Sequence, residues 1–318
     1  MNKKIVLDCL GGDNGQEELA LGTLKCLDYP VDFVLVGEKE KLVKALEKEG
    51  ADLSRYEFID CGKYVSNKED PRILIKGGED TSIAMAMARL EQDDAFAYVG
   101  AGSTGALLLG SIFRLGLIEG IRFPALGCFL FSYNKRRVCL VDCGANLDMA
   151  PSLSLKFAAL GSLITSAYLG IENPRVGLLN VGKEEGKGNA FAKASYPLLK
   201  ESNLNFVGNI EGNDIVLDKA DVVLADGFAG NAVLKAIEGA ALICKQIASD
   251  NGDEKSAEEI DSLFHYSVRG AAVVLGAKKV VMKPHGSSDR DSIASSIEMA
   301  VKMEQGHVVE ALSKGVNV

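Results

Sequence analysis

A chain of 318 residues, 47% hydrophobic and 25% charged, has the composition of an ordinary globular protein, in one large or two smaller domains with ample room for a core. The net charge of −9 argues against nonspecific nucleic-acid binding, which needs a basic surface, but leaves room for an acidic partner at a local basic patch. No window offers the ~18 uninterrupted apolar residues of a membrane span. The N-terminal MNKKIVLDCLGGD is no signal peptide, because its apolar run stops at Asp8, so a soluble, cytoplasmic protein is expected.

Lys3 to Leu10 reads as a buried strand ending in Gly11-Gly12-Asp13, with Asp8 and Asp13 flanking the end where open α/β sheets place ligands. Glu17 to Leu27 reads as a helix and Asp32 to Gly37 as a second strand. Lys39 to Lys48 is an amphipathic helix with Leu42, Val43, Ala45 and Leu46 inward, and Glu57 to Cys61 is a third strand. This alternation specifies an α/β fold with a largely parallel sheet. Ser66 to Thr81, with Asp70-Pro71 and Gly77-Gly78, reads as a loop entering a helix over Ser82 to Glu91.

FAYVGAGSTGALLLG (Phe96 to Gly110) then runs from apolar strand through small-residue loop to helix start. Such a loop lets backbone N–H groups approach an anion. It is neither a Walker pattern nor a GxGxxG, and it equally fits a tight turn with no ligand. Ser103 and Thr104 suit a helix cap or a phosphate contact.

Pro124 to Phe131 and Val138 to Asp142, joined by the basic turn Tyr133 to Arg137, form a hairpin pattern, so the sheet is expected to be mixed. Asp142 to Asn146 (DCGAN) is another small-residue loop. The helix Ser152 to Leu169 carries Ala158, Ala159, Gly161 and Ser162 on a face suited to close packing, including against a second subunit. Strands follow at Arg175 to Val181, Asn205 to Ile210 and Val222 to Ala225. The first leads to Lys187-Gly188-Asn189 and a helix to Lys200, the last through Asp226 to Asn231 to a helix over Ala232 to Ser249. Asp250 to Glu259 reads as a charged helix–helix junction. Val280 to Met282 is a final strand before Lys283 to Asp289 (KPHGSSD), and Ser292 to Gln305 a last helix.

These strand ends share one design, small residues around a single polar side chain: Asp13, Ser103 with Thr104, Asn146, Lys187 with Asn189, Asn231, and His285 with Ser287. Gathered at one sheet edge they suit an oxyanion or phosphate more than a metal. The aspartates Asp8, Asp13, Asp142 and Asp226 come singly, without metal-ligand spacing, and no metal is expected. Each also has a plainer reading: Asp13 as a helix cap, Lys187 as a solvated lysine, His285 as a turn residue, His265 and His307 as surface or structural. GSTG lacks the nucleophile elbow, so no Ser-His-Asp arrangement is indicated. The seven cysteines include no CxxC and read as buried thiols of a reducing compartment.

Taken together, VLDCLGGD, GAGSTGALL, DCGANLD, ENPRVGLLNVG, KGN, FVGNIEG, ADVVLADGFAGNAVLK and KPHGSSD closely resemble the bacterial phosphate acyltransferases of phospholipid synthesis, the PlsX family, almost end to end. The resemblance implies a single domain over 1–318 with a three-layer α/β/α fold like the isocitrate and isopropylmalate dehydrogenases, working as a homodimer without cofactor. It implies transfer of an acyl group from acyl carrier protein to inorganic phosphate, with a glycerol-3-phosphate acyltransferase downstream. Within it, Lys187 and Asn231 are expected to be catalytic, with Asp13, Gly102, Ser103, Thr104, Asn146, Asn189, His285 and Gly286 binding phosphate or substrate.

The chain departs from the family pattern at Asn14, where His is usual, and at Arg269-Gly270-Ala271. It also departs in the thin basic content of Lys76 to Glu79, for which Arg136-Arg137 is offered as compensation in carrier docking. The acidic segment around Asn251 to Asp261 replaces an apolar tip, so only weak peripheral membrane contact is expected. Alternatives are a phosphotransacetylase- or phosphotransbutyrylase-type enzyme using acyl-CoA, and a non-catalytic paralogue that binds acyl carrier protein or lipid. An NAD-dependent dehydrogenase of the shared fold lacks its arginine cluster and paired metal-binding aspartates.

Overall fold

The computed structural model describes residues 2–264 and 270–315, so His265 and Arg269 lie outside the described residues. The chain forms two compact units, Met1–Pro124 with Gly270–Gln305, and Ala125–Arg269 with Gly306–Val318.

The first unit begins with β1 (Lys3–Asp8), α1 (Gln16–Leu21), β2 (Val31–Gly37), α2 (Lys39–Lys48) and β3 (Tyr56–Asp60). α3 (Ser82–Leu90), β4 (Ala95–Gly100) and α4 (Thr104–Gly110) follow. The unbroken apolar runs of β1, β2 and β4 mark strands covered on both faces, and Ile5, Leu7, Phe33, Leu35 and Val99 are fully buried. The helix expected to Leu27 stops at Leu21 and continues as a 3₁₀ turn over Gly22–Cys26. Gly22 lies so close to a later helix that a Cβ there would stand 2.7 Å from that of Ile293.

The second unit opens with the expected antiparallel hairpin, β5 (Ala125–Phe131) and β6 (Arg137–Val141). Then come α5 (Ser154–Leu169), β7 (Val176–Leu179), α6 (Ala190–Lys200), β8 (Phe206–Ile210), α7 (Gly212–Val216) and β9 (Val222–Leu224). Gly161 on the small face of α5 packs on its own sheet: a Cβ there would meet Val222 Cγ1 at 2.7 Å and Val141 Cγ2 at 3.2 Å.

α8 (Gly227–Asp250) starts well before the expected Ala232, because Asp226 caps it by accepting from the Ala229 N–H at 3.0 Å. The acidic stretch after it is mostly helix, α9 (Glu254–Phe264), tied back to α8 by Lys245–Asp261 at 2.6 Å. By length and composition alone α8 and Pro151–Leu169 are apolar enough to cross a membrane, but neither is an uninterrupted apolar run: Lys235, Glu238 and Lys245 interrupt the first and Lys156 the second. On α8, Leu242, Ile243 and Ile247 are exposed.

The chain then returns to the first unit. β10 (Ala272–Leu275), a short apolar stretch that the sequence reading did not assign as a strand, pairs antiparallel with β11 (Val280–Lys283), and α10 (Arg290–Gln305) follows. A short α11 (Val308–Gly315), also unexpected, belongs to the second unit.

Strand order is β3-β2-β1-β4-β11-β10 in the first unit and β5-β6-β9-β7-β8 in the second. In the first, β3, β2, β1, β4 and β11 are mutually parallel. In the second, β6, β9, β7 and β8 are. The fold is therefore α/β with largely parallel, mixed strands, and within each unit the small-residue loops leave from strand ends on the same side.

Candidate active site

In the first unit the loops after β1, β4 and β11 interlock. Gly11, at φ 82°, lies where a Cβ would be 3.0 Å from Gly102 Cα, an approach only glycine allows. The Asp13 N–H donates to the Gly286 carbonyl at 2.8 Å, and the Asn14 amide donates to the carbonyls of Ser287 and Ser288 at 2.9 and 3.0 Å. A Cβ on Gly286 would stand 3.3 Å from the Asp13 carboxylate, so Asp13 lies over the β11 loop rather than capping α1, whose N-cap is Gly15. His285 is exposed, with Nδ1 2.7 Å from Ser287 Oγ. Ser103 is the N-cap of α4 but its side chain makes no capping bond, and Thr104 begins the helix; both are half-buried. Asp13, Gly102, Ser103, His285 and Gly286 are thus neighbours on interlocked loops.

Beneath them lies a buried polar floor. The Asp8 carboxyl accepts from the Leu10 N–H at 3.1 Å, the Ser82 hydroxyl at 3.0 Å and the Tyr98 hydroxyl at 3.2 Å. Burial pushes Asp8 up to about 6 and the Tyr98 phenol well above its usual value. Lys283, at the end of β11, donates to the Ala101 carbonyl at 3.4 Å and to that of Pro284 at 2.5 Å. Sequence reading gave no role to Ser82, Tyr98 or Lys283. Lys283 was open to notice as a cation at a strand end; the two hydroxyls carried no local signal.

In the second unit Asp142 organises the DCGAN loop. Its fully buried carboxylate accepts from the N–H groups of Leu126, Ala145 and Asn146 at 2.9, 3.1 and 2.6 Å, and from the Asn146 side-chain amide at 2.9 Å. The first turns of α8 press on this loop. A Cβ on Gly230 would collide with the Asp142 carbonyl oxygen, and one on Gly144 would meet Asn231 Cβ at 3.6 Å. Asn146 and Asn231 are therefore neighbours, but Asn231 stands exposed inside a helix rather than on the expected loop.

Lys187 and Asn189 sit on a separate loop of the same unit. That loop is clipped by the Asn180 amide to the Lys187 carbonyl at 3.1 Å and by the Asn209 amide to the Glu184 carbonyl at 2.9 Å. Asn189 caps α6 by accepting from the Ala192 N–H at 2.9 Å. The Lys187 ammonium is exposed and only 3.8 Å from Glu184, a loose pair that water screens. It is free to meet an anion.

Arg136 and Arg137, the suggested carrier contacts, are engaged within the unit. Arg136 pairs with Asp218 and Asp221, both at 3.2 Å. Arg137 donates to the Tyr168 hydroxyl at 2.7 Å and lies over the Phe131 ring. Among the described residues no cluster of His, Cys, Asp or Glu is arranged to hold a metal. Six of the cysteines are buried, Cys244 is exposed, and all are free thiols.

The family model described as "Fatty acid synthesis protein" matches residues 3–311. A phosphate acyltransferase of Clostridioides difficile (strain 630) is 34% identical, covering 99% of this chain and 96% of its own. Another, of Caldicellulosiruptor saccharolyticus, is 36% identical with 98% coverage of each chain. The chain belongs to the phosphate acyltransferase family. It is accordingly an acyltransferase.

Solved structures agree at the level of fold. A phosphotransacetylase from Streptococcus pyogenes superposes with TM-score 0.62 at 16% identity, over 97% of this chain and 94% of its own. A branched-chain phosphotransacylase from Enterococcus faecalis gives 0.61 at 15%, over 95% and 99%. A putative 4-hydroxythreonine-4-phosphate dehydrogenase from Salmonella typhimurium gives 0.55 at 13%, over 95% and 100%. These likenesses place the chain in the three-layer α/β/α fold that transacylases share with such dehydrogenases.

Proposed function

We propose that the chain moves an acyl group from acyl carrier protein to inorganic phosphate as a step of phospholipid synthesis. A phosphate oxygen attacks the thioester carbonyl carbon, and a tetrahedral oxyanion forms. The C–S bond then breaks, leaving acyl phosphate and the carrier's thiolate, which takes a proton from solvent. Phosphate is already a nucleophile and thiolate a good leaving group, so the protein's task is to hold the two together and stabilise the oxyanion.

The observation that carries this reading is the Lys187 ammonium, exposed on a loop clipped by Asn180 and Asn209 and only loosely paired with Glu184. Lys187 meets the phosphate or the developing charge, and Asn231, beside Asn146, donates to it. In the first unit Asp13, Gly102, Ser103, Thr104, His285 and Gly286 contact phosphate or substrate, and in the second Asn189 does so. Residues 1–318 act as one catalytic domain, without cofactor. The protein is cytoplasmic and a homodimer with weak membrane contact, for which the exposed Leu242, Ile243 and Ile247 of α8 offer an apolar surface. Its product feeds a glycerol-3-phosphate acyltransferase.

The test is acyl phosphate formation from palmitoyl-[acyl carrier protein] and phosphate, trapped with hydroxylamine, with palmitoyl-CoA and butyryl-CoA in parallel. Turnover confined to the CoA thioesters would replace the carrier substrate by CoA. Lys187→Ala is expected to lower kcat/KM roughly a hundred- to a thousandfold, the usual loss on removing one oxyanion donor, in a protein that still folds. Wild-type turnover in that variant would remove Lys187 from the mechanism.

A further inference from the structure

Asp8 is the last residue of β1 and only 3% exposed. Its three partners belong to three different pieces of the first unit. Leu10 opens the β1 loop, Ser82 is the first residue of α3, and Tyr98 lies in β4. The Tyr98 hydroxyl fills the place a side chain at Gly100 would take, where β4 turns into the GAGSTG loop. A small cleft, with room for about one water, is lined by Asp8, Gly11, Tyr64, Tyr98, Gly102 and Ser103. The carboxyl is thus the common point from which both glycine loops are held.

No cation among the described residues pairs with this carboxyl, and burial without one favours its neutral form. The titratable groups facing it are Tyr98 on β4, Cys9 just after β1, Cys61 just after β3, and Tyr64, which lines the same cleft. Burial pushes Tyr98, Cys9 and Cys61 up, so these three stay neutral while Asp8 ionises. A neutral residue would bridge the same loops without the penalty of a buried charge. Local rules are broken in this way mainly where function requires it. Ionised, the carboxylate accepts all three hydrogen bonds at once. Protonated, one oxygen becomes a donor, and a partner must turn round or be lost.

We propose that Asp8 is a positioning residue of the transfer reaction: with Ser82 and Tyr98 it holds the Gly11 and Gly102 loops at the spacing in which their backbone N–H groups receive phosphate. This rests on the acyl-phosphate reading above. Because Asp8 acts through loops that receive phosphate, its removal weakens phosphate binding as well as turnover.

The test compares wild type, Asp8→Asn and Tyr98→Phe in the palmitoyl-[acyl carrier protein] and phosphate assay across pH 5 to 8.5, with thermal unfolding at each pH. Asp8→Asn is expected to lower kcat/KM roughly ten- to a hundredfold, as loss of a partner behind a site's contacting groups usually does, with the phosphate KM raised and the KM for palmitoyl-[acyl carrier protein] little changed. Tyr98→Phe, which keeps the ring and deletes one hydrogen bond, should lose less. Wild type should also show an acid limb near pH 6 that Asp8→Asn lacks. The limb from the phosphate's own protonation is common to both.

Asp8's folded value lies above its unfolded one of 3.8, so its stabilising contribution is full below about pH 4 and lost as pH rises through about 6. Asp8→Asn should therefore melt no lower than wild type above pH 6. Wild-type kcat/KM and an unchanged acid limb in Asp8→Asn, or activity lost only in proportion to folded protein in both variants, would overturn the proposal. Wild-type protein that makes no acyl phosphate would instead overturn the reading of the reaction itself.

Discussion

Two strand ends carry the same pattern, an apolar residue followed by Asp-Cys, and use the aspartate differently. Leu7-Asp8-Cys9 closes β1 and Val141-Asp142-Cys143 follows β6. Both carboxylates are buried and both hold a small-residue loop. Asp142 does so with four N–H donors, three of them backbone groups that cannot reverse. Asp8 relies on one backbone N–H and two hydroxyls, which can turn from donor to acceptor. The first arrangement fixes a loop through donors that keep one direction. The second tolerates a change of protonation at the cost of a changed network. One tripeptide thus gives a rigid bracket in one unit and an adjustable one in the other.

The strongest way to break this contrast is to unseat the rigid bracket. Gly230→Ala would drive a Cβ into the Asp142 carbonyl oxygen, separating α8 from the DCGAN loop. A loss of about 3 kcal/mol in urea unfolding is expected, at the upper end of overpacking effects, together with loss of activity because Asn146 and Asn231 move apart. Asp142→Asn comes next. It turns an NH₂ towards N–H donors that cannot reverse, and should cost about 2 kcal/mol as a buried donor loses its acceptor. The same substitution at Asp8 meets hydroxyls that can turn, and should be neutral or stabilising above pH 6. Equal losses at the two sites would show that rotatable partners make no difference here.

What the sequence reveals follows the same division between local and distant causes. β1, α2 and the β5–β6 hairpin are legible because an unbroken apolar run, a helical period and a basic turn are local features. The start of α8 is hidden because Gly227-Phe228-Ala229-Gly230-Asn231 reads as loop. Its glycines serve a close approach to Asp142 and Asn146 that only the fold reveals. α9 is hidden by its charge: Asp253 accepts from the Ser256 N–H at 3.1 Å and an acidic first turn suits the helix N-terminus, but neither outweighs the look of a linker. At the site, the small-residue loops can be read as such. The partners of Asp8 cannot, since Ser82 and Tyr98 are 74 and 90 residues away and each looks like an ordinary helix or strand residue.

The smallest expected effect bears on how the adjustable bracket is closed from outside. Asn14 occupies the position after Gly-Gly-Asp, and its amide donates to the carbonyls of Ser287 and Ser288, tying the β1 loop to the β11 loop. Both bonds are at or near the surface, so Asn14→Ala should cost only about 1 kcal/mol in urea unfolding. If the Gly11 and Gly102 loops are set by Asp8 from below, this clip merely limits their outward motion, and kcat/KM should fall by no more than a few-fold. Asn14→His, with a single ring N–H able to donate towards Ser287 or Ser288, should fall between wild type and Asn14→Ala in stability. A loss of activity in Asn14→Ala as large as that in Asp8→Asn would move the origin of loop spacing from the buried floor to the surface clip.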